Sequence, residues 1–192
     1  MKRRAFRSWD RLLHPTRQAR AIDRLRGLPE VREVLFLCLG NVCRSPYAEA
    51  RFRERMDSCV KARSAGFIGP GRPPPSAAVE AARARGLHTS DHRSCLVTPT
   101  MLHEVDLVVV MDVGQPRRLK SFGKDLRAPV IFLGDLDRQP IPGRGIKDPW
   151  GRSSGVFDRV FERIDRCIDE MVTHLPRGAS QQRPGASSAA PG

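Results

Sequence analysis

Cys38 and Arg44 stand six positions apart in the run Cys38-Leu39-Gly40-Asn41-Val42-Cys43-Arg44-Ser45-Pro46. A cysteine thiolate is a strong nucleophile, and a guanidinium forks onto two phosphate oxygens at once. Gly40 and Asn41 suit a tight loop that needs a positive φ. Ser45 is expected as the N-cap of a following helix, with Pro46 at its favoured first position. Inward-turned N–H groups of such a loop and the positive end of the helix dipole form an anion cradle. Its centre also favours Cys38 as the thiolate. The expected chemistry is covalent attack on a phosphate ester, with Leu39, Gly40, Asn41, Val42, Cys43, Arg44 and Ser45 as the phosphate-binding residues.

The elements around this loop must hold it between a strand and a helix. Residues 34–37 are uniformly apolar and read as a buried strand of a parallel sheet. A helix is expected over 47–56, with Ala48, Phe52 and Met56 near helical spacing, and a second strand over 59–66. Residues 67–75 carry repeated Gly and Pro and read as a loop. Gly69-Pro70-Gly71 lacks the third glycine and the context of a dinucleotide fingerprint. Ser76 is expected to cap a helix that stops at Gly86. Strands over 106–111 and 130–133 flank a short helix over 114–122. Residues 134–155 form a long loop, and loops of that length are usually functional. The closing helix, 156–175, has the clearest periodicity, from Val156 and Phe157 through Ile164 to Leu175. Its acids Asp158, Glu162, Asp165 and Asp169 read as a solvated face rather than a metal site. Alternating strands and helices give an α/β fold: a single domain, with a four-stranded parallel sheet, helices on both faces and the phosphate loop after the first strand.

The loop sequence, set between a strand and a helix, resembles the phosphate loop of the low-molecular-weight protein tyrosine phosphatases. Asp148-Pro149-Trp150, about 110 residues downstream, resembles the Asp-Pro-aromatic motif of that family. Ser64-Ala65-Gly66 and the Gly86, His92, Ser94 spacing are similar to it as well. The resemblance covers residues 32–174. It implies Cys38 as nucleophile, forming a phosphocysteine intermediate, with Arg44 and the loop amides on the phosphate. Asp148 then acts as general acid and afterwards as general base. Trp150 walls the entrance and stacks on the phosphotyrosine ring. Ser45 donates a hydrogen bond to the thiolate, Asn41 fixes the loop, and His92 either supports it or is a structural histidine. Cys43 matches the second loop cysteine, a redox partner able to form a reversible disulfide with Cys38; packing as a small buried hydrophobe is the other reading. No metal or cofactor is implied. The family pattern is departed from at the aromatic pair, since only Trp150 precedes Gly151, and at the short, proline-rich 67–75 loop. Phe67 or Leu39 is expected on the second wall of the cleft.

At 192 residues the chain suits one core. It contains no run of 18 apolar residues, so no membrane span is expected. The basic N-terminus lacks the apolar stretch of a signal peptide. Five cysteines at irregular spacing do not make a secreted disulfide framework, and the expected location is cytoplasmic. The net charge is +13, but it is uneven. Residues 1–30 hold nine Lys or Arg against three Asp or Glu. This basic extension, marginal as a helix alone and expected to be helical only from Pro15 to Arg26, is a docking arm for an anionic partner, a flexible tail or an upstream start. Residues 31–175 are expected as the phosphatase-like domain and 176–192 as a disordered tail. Only 6% of residues are aromatic, with no basic and aromatic interleaving of the kind that stacks bases, which argues against nucleic-acid binding as the main function.

Three rival readings stay open. A thiol-dependent arsenate reductase shares the scaffold but relays oxidation through a close pair of downstream cysteines, whereas Cys95 stands apart from Cys59 and Cys167. A phosphoarginine phosphatase resembles the scaffold with a smaller polar residue at the fourth loop position, where apolar Val42 favours a flat aromatic substrate. A non-catalytic phosphate-binding regulatory protein would have no chemical need for Cys38, Arg44 and Asp148 together.

Overall fold

The computed structural model describes residues 2–56, 60–122, 126–140 and 143–176, with side chains from residue 10 onward. In chain order the elements are α1 (Lys2–Arg26), β1 (Glu33–Cys38), α2 (Arg44–Arg55), β2 (Lys61–Gly66), α3 (Ser76–Arg83), α4 (Pro99–Glu104), β3 (Leu107–Val110), α5 (Gln115–Leu119), β4 (Val130–Phe132) and α6 (Ser154–His174). Short 3-10 turns, Lys120–Phe122 and Leu133–Leu136, follow α5 and β4. The four strands pair in parallel in the order β2-β1-β3-β4.

Strand residues alternate between two cores, because successive side chains point to opposite faces. Val34, Phe36, Leu107, Val109 and Ile131 face one core with α1, α2, α3 and α6. Leu35, Leu37, Val108 and Val110 face the other, with residues of α4 and α5. Both faces of β1 and β3 are therefore buried, as their unbroken apolar runs require. The chain leaves β1 toward β2 and later returns to the opposite side at β3. That topological switch point opens a crevice at the carboxyl ends of β1 and β3, where Cys38 ends its strand.

Several boundaries differ from the sequence expectation. α2 begins at Arg44, with Cys43 rather than Ser45 at the cap position, and no side chain caps it. Ser45 lies in the first turn because its hydroxyl is turned onto Cys38. Ser76 is likewise the first helical residue and not the cap; the Pro75 carbonyl already accepts from Ala78 N–H. α3 ends at Arg83, earlier than expected, and a turn follows that closes at Gly86, with φ +76. α4 had no counterpart in the sequence reading, although Thr98 caps it through Met101 N–H at 3.2 Å and Pro99 opens it. The disorder expected for residues 176–192 falls, from residue 177, outside the described residues.

The N-terminal extension is helical from Lys2, with Pro15 inside the helix rather than at its start. Its side chains from Asp10 on are not those of a free arm. Ala21 and Leu25 are buried in the main core. His14, also buried, meets the Asp137 carbonyl through Nε2 at 2.7 Å, and Gln18 Nε2 donates to the same oxygen at 3.2 Å. The acids of α6 are engaged by arginines rather than merely solvated. Asp165 accepts from Tyr47 Oη and Arg51 Nε at 2.7 and 2.8 Å, while Asp158, Glu162 and Asp169 pair with Arg85, Arg166 and Arg55. Tyr47, stacked on Phe161 with centroids 3.7 Å apart, ties the helix behind the phosphate loop to α6.

Candidate active site

The loop between β1 and α2 is held by its carbonyls. Leu39 O accepts from the N–H groups of Phe67 and Ile68 at 2.8 and 3.2 Å. Gly40 O accepts from Arg72 Nη2 at 2.9 Å, and Asn41 O meets His92 Nε2 at 2.8 Å. A planar trans peptide points its N–H opposite its C=O, so clamping these oxygens outward turns the following amides inward. One of them, Asn41 N–H, donates to Cys38 Sγ at 3.2 Å. Ser45 Oγ donates to the same sulfur at 3.1 Å.

Asn41 supports the loop from within. Its φ of 50° lies in the left-handed region that Asn tolerates better than most residues. Its amide nitrogen donates to Ser45 Oγ and Ser64 Oγ, both at 2.9 Å, and its oxygen accepts from Cys95 N–H at 2.9 Å. Ser45 is a near neighbour in the chain, as a tight turn suggests, whereas Ser64 and Cys95 are distant in sequence. Gly66 lets the loop close on β2. A β-carbon there would lie 2.9 Å from Asn41 N and from Leu39 O.

Arg44 is buried, and two carboxylates face it. Nη2 donates to Asp148 Oδ2 at 2.7 Å, and Nη1 donates to Ile146 O at 2.9 Å and lies 3.5 Å from Asp112 Oδ2. Asp112 follows β3 and was not singled out in the sequence. Its carboxylate is oriented by Gln115 Nε2 at 2.8 Å and Gly114 N–H at 2.9 Å. The loop carrying Asp148 is in turn fixed by Arg163 of α6, which donates to Gly143 O and Gly145 O at 3.0 and 2.9 Å. Ile146 N–H donates to Met111 O at 2.7 Å. Asp148 Oδ1 accepts from the backbone N–H of Trp150 at 3.2 Å.

These residues surround a cavity of about 120 Å³ lined by Cys38, Leu39, Gly40, Val42, Cys43, Arg44, Ile68, Arg72, Asp148 and Trp150. Trp150 is 53% exposed and stands at the mouth. Leu39 lies on the wall, as expected. Phe67 does not: it turns to the opposite core and packs against Phe122, with ring centroids 6.3 Å apart. Its neighbour Ile68 takes the place on the wall. Arg72, also missed in the sequence, spans the cleft edge by donating Nη2 to Gly40 O and Ile68 O and Nε to Gly69 O. Asp112 reaches the site through Arg44, and Arg72 reaches the phosphate loop through Gly40, both far away in sequence, and no local pattern marks either residue.

The cysteines divide sharply. Burial, together with the charge of Cys38, pushes the Cys43 thiol up to about 12, so it is a neutral thiol at physiological pH. Cys167 is fully buried in the core, and burial pushes its thiol well above the ordinary range. Cys95 Sγ meets Ser64 O at 3.2 Å on the outer side of the loop. Cys59 lies outside the described residues. Among the described residues no group of three His, Cys, Asp or Glu side chains is placed to hold a metal ion, and no helix is long and apolar enough to cross a membrane.

A strand, a phosphate-loop sequence, a helix and a distant Asp-Pro-Trp that converge on one cavity define a class of protein, and comparison with known proteins gives the same class. The family described as low molecular weight phosphotyrosine protein phosphatase matches residues 33–181. The chain belongs to that family. It is 31% identical over 147 residues to the probable low molecular weight protein-tyrosine-phosphatase EpsP of Ralstonia nicotianae, covering 76% of this chain and 97% of that protein. The crystal structure of the Erwinia amylovora tyrosine phosphatase AmsI superposes with a TM-score of 0.70 at 26% identity, covering 77% and 95% of the two chains. The YwlE arginine phosphatase of Geobacillus stearothermophilus shares the fold, with a TM-score of 0.66 at 24% identity and coverage of 74% and 91%.

Proposed function

We propose that this chain hydrolyses phosphotyrosine in proteins through a phosphocysteine intermediate on Cys38. The observation that carries the reading is the environment of one sulfur. Cys38 Sγ receives hydrogen bonds from Asn41 N–H and Ser45 Oγ, lining the same cavity as buried Arg44. A thiolate so held is both a nucleophile and a competent leaving group.

The phosphate dianion enters against the loop amides and Arg44. Arg44 Nε–H, buried without an acceptor among the described residues, takes an equatorial phosphate oxygen. The phosphate also displaces Asp148 Oδ2 from Arg44 Nη2, and the released carboxylate takes a proton from solvent and turns to the leaving group. In the first step the Cys38 S–P bond forms as the phosphorus–phenolate bond breaks, and Asp148 gives its proton to the phenolate oxygen. In the second, Asp148 takes a proton from water, the water oxygen bonds to phosphorus, and the thiolate leaves. Ser45 stabilises that departing charge. Trp150 and Ile68 provide the two sides against which an aromatic ring packs. Cys43, neutral and in the same cavity, is the redox partner: once a peroxide has oxidised the Cys38 thiolate to a sulfenic acid, being itself reduced to hydroxide, attack by the Cys43 thiol gives a disulfide and releases water. Such a thiolate works in a reducing compartment, which supports a cytoplasmic location.

The test is phosphate release from a phosphotyrosine peptide beside phosphoserine and phosphoarginine peptides, with Cys38→Ser as control. Turnover of phosphotyrosine that vanishes in the variant supports the reading. Preference for phosphoarginine would move the chain to the rival on the same scaffold. Buried, apolar Val42 on the cavity wall weighs against that outcome, because a guanidinium brings N–H donors that an isopropyl group leaves without partners.

A further inference from the structure

The N-terminal helix builds a second cavity, of about 350 Å³, that the phosphate site does not use. One side is α1, through Arg17, Arg20 and Arg24; the other is the end of β4 and the loop beyond it, through Phe132, Asp135 and Arg144. The three α1 arginines fall at i, i+3 and i+7, a single face extending about 10 Å along the helix. Arg17 pairs with Asp10 at 2.8 Å. Arg144 Nε reaches both oxygens of Asp135, at 2.9 and 3.1 Å, and its guanidinium lies over the Phe132 ring, 3.9 Å from the centroid. Arg20 and Arg24 are exposed and have no ion-pair partner among the described residues. Four guanidinium groups against two carboxylates, Asp10 and Asp135, leave the groove positive, with Arg20 and Arg24 as its unpaired cations among the described residues.

We propose that this groove docks an acidic segment of the phosphoprotein substrate, a proposal that rests on the phosphatase reading. The groove and the active site share one stretch of backbone. Arg144 faces the groove, and Asp148, four residues on, is ion-paired with Arg44. Four residues span at most about 14 Å, so a peptide bound in the groove reaches the Cys38 cavity after a linker of only about four extended residues. The ligand is a run of carboxylates rather than a small free anion. The row of cations is about 10 Å long, matching three extended residues, and its floor is apolar at Phe132 and Ile131. Arg144 already demonstrates the fork geometry that carboxylates prefer. A flat anionic membrane does not enter a groove of this shape.

The experiment uses the full chain and two phosphotyrosine peptides, identical except that one carries four glutamates beginning five residues from the phosphotyrosine. The glutamate peptide should be turned over with the higher kcat/KM, and the advantage should shrink as salt rises. Arg20→Glu/Arg24→Glu should lower kcat/KM for the glutamate peptide roughly three- to tenfold, the scale of two exposed ion pairs. The plain peptide and a small aryl phosphate should be unaffected, and Arg20→Gln/Arg24→Gln should give a smaller loss in the same direction. Unchanged circular dichroism would verify the fold of each variant. Binding of the non-phosphorylated glutamate peptide, read by fluorescence anisotropy, needs no catalysis. If it binds and loses affinity in the variant while no phosphotyrosine is hydrolysed, the groove stands and the phosphatase reading falls. Equal kcat/KM for both peptides, or equal anisotropy for wild type and variant, would overturn the groove. So would binding of anionic vesicles or inorganic phosphate that the double variant abolishes while peptide binding is unchanged.

Discussion

Asp148 Oδ2 lies 2.7 Å from Arg44 Nη2, so the proposed proton donor and the proposed phosphate-binding cation neutralise each other. Asp112 Oδ2, 3.5 Å from Nη1, brings a second carboxylate to the same guanidinium. A buried guanidinium is costly without counter-charge, and these carboxylates supply it until a phosphate takes over. Phosphate binding and release of the general acid thereby become one event.

Asp148→Asn separates the two roles. Loss of the acid lowers kcat by roughly 10²- to 10⁴-fold, while inhibition by inorganic phosphate strengthens, because a carboxylate no longer competes for Arg44. Steady-state kinetics with phosphate as inhibitor checks both directions. A variant with unchanged kcat would remove Asp148 from the reaction.

Asn41→Ala deletes three side-chain hydrogen bonds and puts alanine, which tolerates the left-handed region less well than asparagine, at φ 50°. The cost is at most about 1–2 kcal/mol for the left-handed conformation and roughly 1 kcal/mol for each hydrogen bond. Asn41→Gly removes the same bonds without the conformational cost. Both should lose activity, with alanine the less stable of the two in thermal unfolding. Equal activity in wild type and Asn41→Gly would show that the amide network does not hold the loop.

Gly134→Ala tests how the acid loop is seated. A β-carbon at Gly134 would lie 2.0 Å from Arg144 O and 2.9 Å from Arg163 Nη2. Overpacking of this kind costs about 1–3 kcal/mol, and relief requires the 143–148 segment to shift. The expected result is a lower melting temperature together with lower kcat, with folded content at room temperature retained. Unaltered kcat in a destabilised variant would mean that Asp148 is positioned by other contacts.

Asp137 joins the extension to the domain. Its carboxylate, fully buried, takes Arg163 Nε and Arg166 Nε at 3.0 Å each, and its carbonyl takes His14 and Gln18 of α1. Asp137→Ala strands the buried Arg163 charge, a loss of roughly 3–5 kcal/mol. Adding Arg163→Met should recover part of it in denaturant unfolding. No recovery would argue that the carboxylate acts independently of Arg163.

The parts of the site legible in the sequence are those encoded locally. A uniformly apolar strand, six further residues to an arginine and a proline-marked helix start define the loop, and the 3.6-residue period of 156–175 defines α6 to within two residues. Asp148 was visible because Asp-Pro-Trp is compact. What stayed hidden depends on distant partners. The core-facing side of α1 carries buried His14, Ala21 and Leu25 and half-buried Gln18, two of the four polar, and the partner of these two is a carbonyl about 120 positions away. Thin apolar periodicity therefore suggested a loose arm. Phe67 and Ile68 differ by one position, and backbone direction alone decides which faces the cleft. Ser45 met the statistics of a helix cap, yet a sulfur nearby claimed its hydroxyl.

The most direct measurement of the central claim is acid quenching of the enzyme during turnover of a phosphotyrosine substrate, followed by mass mapping of the modified residue. The expected result is a phosphoryl group on Cys38, more abundant in Ser45→Ala, where the departing thiolate has lost a hydrogen bond. Phosphate released without any labelled Cys38, or a phosphoryl group on another side chain, would contradict the account.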